Sequence, residues 1–159
     1  MTGATEGRAP TSAGLSGRVA VVAGGTRGIG LAVVYALAGQ GVSIVVNGRD
    51  KAAVDDTVAE VRGGGGYAVG VCGSAGSDGV AEEMVEAALE HFGALDIAIN
   101  CAGIAEPAGA TVLTISSADF RAQLDAHLLS AFHLTQAAGR VLVEQGLSLI
   151  HISEPTRPY

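Results

Sequence analysis

One succession of residues constrains this chain more than any other: an apolar, β-branched run that ends in glycine, then a second glycine-rich stretch that opens an apolar segment with helical spacing. "RVAVVAG" has strand length and composition, and "GIGLAVVYALAGQG" carries apolar residues at the helical period up to a glycine stop. The strand–turn–helix unit then recurs. "VSIVVNG" is a second strand, "DKAAVDDTVAEVRGGGG" a helix opened by Asp50 and closed by glycines, and "YAVGVCG" a third strand. "SDGVAEEMVEAALEHFG" predicts a helix capped by Ser77 or Asp78, with acids in its first turn where the helix dipole favours them. "LDIAINCAG" is a fourth strand, and "SSADFRAQLDAHLLSAFHLTQAAGRVLVEQG" predicts one long helix capped near Ser116 or Ser117.

Strands that are nearly all apolar and alternate with helices predict an α/β fold, a doubly wound parallel sheet of the Rossmann type covered on both faces. The strands fall near residues 18–23, 42–47, 67–72 and 95–100. Right-handed crossovers with one reversal put them in the order 3-2-1-4. "LDIAIN" is apolar on both faces, as a central strand would be, and the alternating "SLIHI" at 148–152 could pair beside it as a pseudo-fifth strand. Residues 1–17 predict a disordered N-terminal tail, 18–146 the Rossmann-type domain and 147–159 a non-native tail.

Charge and cysteine content narrow the function classes. Nine basic against sixteen acidic residues give a formal charge of -7, which repels nucleic acid and anionic membrane, so any phosphate must be held locally. The N-terminal stretch lacks the hydrophobic run of a signal peptide and no segment has the length to span a bilayer, which predicts a cytoplasmic protein. Cys72 and Cys101 suit neither a disulfide framework nor a zinc site and read as buried free thiols. His91, His133 and His151 have no ligand-spaced partners, so no metal is expected.

Gly24, Gly28 and Gly30 in "AGGTRGIG" lie where the first strand meets the first helix. A turn there brings backbone close to a pyrophosphate, which the helix N-terminus meets with unpaired N–H groups. With 24 glycines among 159 residues the spacing alone weighs little; its position in a βαβ unit gives it force. Together with "LDIAINCAG" and "HLLSAFHLTQAA", the turn "GGTRGIG" resembles the short-chain dehydrogenase/reductase family in order and spacing over about Arg18 to Gly146. The resemblance implies that Gly24, Thr26, Gly28, Ile29 and Gly30 hold a cofactor pyrophosphate. It further implies that Asn100, Ala102 and Gly103 lie along the adenosine ribose and the path to the nicotinamide.

The cofactor phosphate is a question of charge. Dinucleotide folds that choose NAD place an acid at the end of the second strand for the ribose 2′-hydroxyl, whereas a 2′-phosphate wants arginine and no acid. Here Gly48 stands at that place, Arg49 follows it, and Arg27 is a second cation in the glycine turn, which favours NADP(H) over NAD(H). The sequence also departs from the family pattern. Ala23 replaces the usual threonine before the turn, Gly73 with Ser74 beside it replaces the Asp that commonly meets the adenine, and Cys101 replaces the second Asn of Asn-Asn-Ala-Gly. His127 stands where the family usually has an active-site asparagine. A neutral imidazole there either supports a water leading to the catalytic lysine or is merely a packed or exposed helix histidine.

The family's catalysis uses a serine and a Tyr-x-x-x-Lys pair. This chain has a single lysine, Lys51, and none of Tyr35, Tyr67 and Tyr159 has a lysine four residues on, so no catalytic residue is assigned and the chain by itself is expected to be inactive. "LSLIHISEPTRP" resembles the translation of an adapter used in transposase-made sequencing libraries, so the gene reads as cut after about Gly146. The implied parent is an NADP(H)-dependent oxidoreductase and homo-oligomer that moves hydride between nicotinamide and a small carbonyl or alcohol substrate. The alternatives are a non-catalytic nucleotide-binding or regulatory protein and a related epimerase or dehydratase, and fold analogy does not choose among them.

Overall fold

The computed structural model describes residues 14–146; the stretch expected as a pseudo-fifth strand, and the rest of 147–159, lie outside the described residues. The elements run β1 (Val19–Ala23), α1 (Gly28–Ala38), β2 (Ser43–Gly48), α2 (Lys51–Gly63), β3 (Ala68–Cys72), α3 (Val80–Phe92), β4 (Ile97–Asn100), α4 (Ser117–Leu124), a π-helical turn (Asp125–Leu129) and α5 (Ser130–Glu144). All strand pairs are parallel, in the order β3-β2-β1-β4 that the sequence predicts.

β1 occupies the middle because all five of its residues are buried, and Val21 pairs with Val45 on one side and Ala98 on the other. Its alternating side chains feed two layers. Val19, Val21 and Ala23 pack with Met84 and Ala88 of α3 and Leu134 and Ala138 of α5. Ala20 and Val22 pack with Val34 of α1 and Val58 and Val61 of α2. The sheet is therefore covered on both faces, and each crossover helix returns to the face that its sequence stripe requires. At the N-terminal end of the sheet, Asp96 ties the start of β4 to β1, accepting from Arg18 Nη1 at 2.6 Å and from the Val19 N–H at 2.9 Å. Leu15 packs against the α1–α2 layer and the Gly17 N–H donates to Gly41 O at 2.9 Å.

Three local expectations are corrected. The α3 cap is Gly79, in the left-handed region at φ 86°, and no side chain caps this helix; the Ser77 N–H donates back to Ser74 O and the Asp78 carboxylate lies 3.7 Å from His133 Nε2. The long final helix is interrupted, because the Ser130 N–H reaches back to Asp125 O and its hydroxyl donates to Ala126 O at 2.7 Å, which spreads one turn to π geometry. Among the described residues β4 is the last strand of the sheet, and half-buried and exposed residues alternate along it. The cysteines are not buried: Cys72 ends the edge strand β3 on its exposed side and Cys101, just past β4, is half-buried. Two cap expectations hold, since Asp50 accepts from the Ala52 N–H at 3.0 Å and Ser116 from the Asp119 N–H at 3.0 Å.

Candidate functional site

β1, β2, β3 and β4 all end at one side of the sheet, where their following loops wall a crevice of about 850 Å³. It lies where the strand order reverses between β2 and β4 about β1, the place at which open α/β sheets bind ligands. Gly24, Thr26, Arg27, Gly28, Ile29 and Gly30 form its floor and one rim; Gly48 and Arg49 follow from β2, Gly73 and Ser74 from β3, and Ala102 and Gly103 from β4. The structure thus brings these candidates together. Asn100 does not line the crevice: its side-chain amide donates to Ser130 Oγ at 3.0 Å while its oxygen accepts from the Ala102 N–H at 3.1 Å, so it shapes the loop and ties β4 to the π turn.

The glycines of the turn differ in what they do. A Cβ on Gly24, which has φ 72°, would lie 2.8 Å from the Ala102 backbone, and a Cβ on Gly30 would clash with the Gly24 carbonyl oxygen. These two let chain segments touch. Gly28, at φ 54°, has no atom within 4 Å of where a Cβ would stand, so its glycine answers a left-handed backbone rather than packing. Arg27 is the N-cap of α1 without a side-chain cap hydrogen bond, and no acid occupies the first turn. The first amides of α1 consequently remain available to an anion.

Arg27 and Arg49 are both exposed at the crevice rim, and among the described residues neither has a carboxylate within ion-pair distance. Sequence reasoning missed Asp50, an acid in the same wall, but its carboxylate is turned into the first turn of α2 as that helix's cap. It also missed Asn47, Ala53, Ala75, Gly76, Cys101, Ile104 and Ala126. Asn47 was detectable as the one polar residue inside an apolar strand: it is 1% exposed, and its amide donates to Val71 O and Gly73 O at 3.1 Å each, which fixes the ends of β2 and β3 together. Burial pushes the Cys101 thiol up from its ordinary value.

His127 stands in the π turn, outside the crevice wall, with its ring against Gly103; a Cβ on Gly103 would lie 2.5 Å from His127 Cε1. Its Nε2 is 3.1 Å from Ile104 O and 3.4 Å from Ile104 N, so it donates to the carbonyl in one tautomer and accepts from the amide in the other. Either way it pins the loop after β4. Lys51 is exposed on α2, where the hydrogen bond and charge of Asp55 raise its pKa, and Tyr35 bonds Glu60, which raises the phenol's pKa. Neither residue lines the crevice. Among the described residues no His, Cys, Asp and Glu cluster could hold a metal ion.

This geometry has counterparts among known proteins. Residues 23–155 match the family model described as enoyl-(acyl carrier protein) reductase. An uncharacterized oxidoreductase of Methylorubrum extorquens is 38% identical over 140 residues, covering 87% of this chain and 55% of the relative. A 3-oxoacyl-[acyl-carrier-protein] reductase of Synechocystis sp. is 32% identical over 132 residues, covering 82% of this chain and 53% of that one. The crystal structure of a short chain dehydrogenase from Mycobacterium avium superposes with a TM-score of 0.77 at 28% identity, covering 86% of this chain and 52% of the other. The chain spans about half the length of the curated relatives it matches. The strand order, the glycine turn at the switch point and these matches agree: the chain belongs to the short-chain dehydrogenase/reductase family.

Proposed function

We propose that the whole protein is an oxidoreductase that uses NADP(H) in preference to NAD(H), with residues 18–146 as its cofactor-binding domain. The observation that carries the cofactor choice is the end of β2, where Gly48 supplies no acid and the guanidinium groups of Arg27 and Arg49, without a carboxylate partner among the described residues, flank the crevice. Two arginines can hold a phosphate dianion by charge-assisted hydrogen bonds, and the α1 amides suit the pyrophosphate. When bound, the nicotinamide supplies or accepts hydride. This chain's residues bind and orient: Gly24 and Gly30 let the turn close, Gly28 leaves room for approach, and Asn47, Asn100 and His127 fix the loops.

The substrate is a small carbonyl or alcohol compound, a class that the reductase activity named for the Synechocystis relative supports. The parent is a cytoplasmic homo-oligomer that binds neither nucleic acid nor membrane. Supporting this, the net charge is -7, no helix among the described residues is long and apolar enough to cross a membrane, and Phe120, Leu124, Leu128 and Phe132 recur every fourth residue with their side chains exposed.

Titrating the protein with NADPH and NADH tests the reading. NADPH should bind tighter by about tenfold or more, and Arg49→Ala should remove most of that difference while changing NADH little, since a hydrogen bond to a charged group is worth about 1.5–3 kcal/mol. Equal affinity for the two dinucleotides overturns it.

A further inference from the structure

We propose that Thr26 is a specificity-determining residue that closes the end of β2 to any side chain, so that cofactor choice is set by Thr26 and Gly48 jointly. The inference rests on the crevice being the dinucleotide site. A Cβ built on Gly48 would lie 2.6 Å from Thr26 Cγ2 and 2.9 Å from Thr26 Oγ1, with Val54 Cγ2 at 3.1 Å as the next neighbour. Both Thr26 contacts are closer than packed carbon atoms approach. Thr26 belongs to the glycine turn and Gly48 to β2, and both line the crevice.

Rotation of Thr26 does not relieve the conflict. Its two γ atoms fill two of three staggered positions, and both filled positions face Gly48. Any other rotamer therefore leaves at least one γ atom in the way. An aspartate at 48, the residue that would receive a ribose 2′-hydroxyl, must displace the turn as well as reach the ligand. The turn cannot yield readily, because Gly25 N donates to Asn47 O at 2.8 Å and Gly24 packs on Ala102. The Thr26 hydroxyl itself has no hydrogen-bond partner among the described residues, so it is free to add a donor beside Arg27 and Arg49 for a phosphate. The absence of an acid at 48 is thus enforced sterically from the neighbouring loop, in addition to being a matter of charge.

The test compares wild type, Thr26→Ala, Gly48→Asp and the double variant in the full chain, reading NADPH and NADH affinity by fluorescence titration and ligand-free melting temperature. Gly48→Asp alone should lower the melting temperature, weaken NADPH and leave NADH within about threefold of wild type. The double variant should recover melting temperature and bind NADH about tenfold tighter than Gly48→Asp, a coupling of about 1.4 kcal/mol. Failure of Gly48→Asp to fold while the double variant folds also supports the proposal. It is overturned if Gly48→Asp gains NADH affinity as fully as the double variant, or if both fail to fold, since removal of the γ atoms was to make the room. Wild-type protein that binds neither dinucleotide counts against the cofactor reading and this inference together; an uncoupled pair in a wild type that prefers NADPH counts against this inference alone.

Discussion

Gly30 packs so closely beneath Gly24 that a Cβ on Gly30 would clash with the Gly24 carbonyl oxygen. The first turn of α1 can lie under the end of β1 only while position 30 has no side chain. Gly30→Ala must therefore push α1 away from the turn or rotate the Gly24 peptide. Overpacking of this kind costs about 1–3 kcal/mol, and the displaced turn should lose dinucleotide binding as well. Urea unfolding and an NADPH titration read the two effects. Gly28→Ala meets no atom within 4 Å but sits at φ 54°, so it should cost less stability than Gly30→Ala and still impair binding. An equal loss of stability in the two variants would remove the distinction between a packing glycine and one that answers a left-handed backbone.

Asn47 offers a second test, on the link between buried polarity and the crevice. Its amide satisfies the carbonyls of Val71 and Gly73, and Asn47→Ala leaves both without that donor in a site that is 1% exposed. The expected cost is about 1–3 kcal/mol. Asn47→Asp should be worse at neutral pH than Asn47→Ala, because a carboxylate has no donor to offer and places negative charge against two carbonyl oxygens. Denaturant midpoints of the three proteins rank them. A stable Asn47→Asp chain would show that water replaces the amide.

The sheet was legible because its strands are apolar runs set off by glycine and its helices carry helical stripes, and right-handed crossovers with one reversal then order them β3-β2-β1-β4. What stayed illegible depends on contacts between distant segments. Nothing local in "SDG" says that Asp78 faces His133 rather than capping α3, and nothing in "HLLSAF" says that Ser130 is engaged with Asn100 and Ala126. The same holds at the candidate site. The glycine turn and the end of β2 can be placed by motif, but the Thr26–Gly48 conflict and the turning away of Asp50 are relations of three-dimensional packing. Cysteine count and spacing predict free thiols but say nothing of which side of β3 Cys72 faces, and β3 exposes alternate residues.

The two thiols should differ in reactivity. Cys72 is exposed, while Cys101 is half-buried in the crevice wall, where burial disfavours its thiolate and raises its pKa. Alkylation at pH 8 should modify Cys72 first. The Cys101 rate should go on rising with pH past about 8.5, where an ordinary thiol levels off. For stability the sign is the same: the folded chain holds the Cys101 proton to higher pH than the unfolded chain, so this contribution is present below the ordinary thiol value and lost as pH climbs through the raised one. Saturating NADPH should slow alkylation of Cys101 and leave that of Cys72 unchanged, as peptide mass mapping would show. Protection of both, or of neither, contradicts the placement of the dinucleotide along the crevice.

Binding and turnover should separate in this chain. Lys51, its single lysine, is engaged by Asp55 on the exposed surface of α2 and stands outside the crevice wall. Tyr35 bonds Glu60, and Tyr67 lines a different hollow, between the α1–β2 and α2–β3 loops. Among the described residues the crevice therefore contains neither a phenol to pass a proton nor an ammonium to lower its pKa. Positioned acid–base groups contribute about 10²–10⁴ in rate, and correct placement of the substrate contributes still more. Residues 1–159 should consequently bind NADPH without oxidising it when ketone and aldehyde substrates are supplied. Following absorbance of the reduced nicotinamide with tag-free protein checks this, with Arg49→Ala as the control for binding. Turnover that falls in Arg49→Ala in proportion to lost NADPH affinity would show that the chain assembles a proton donor from residues other than those in the described crevice.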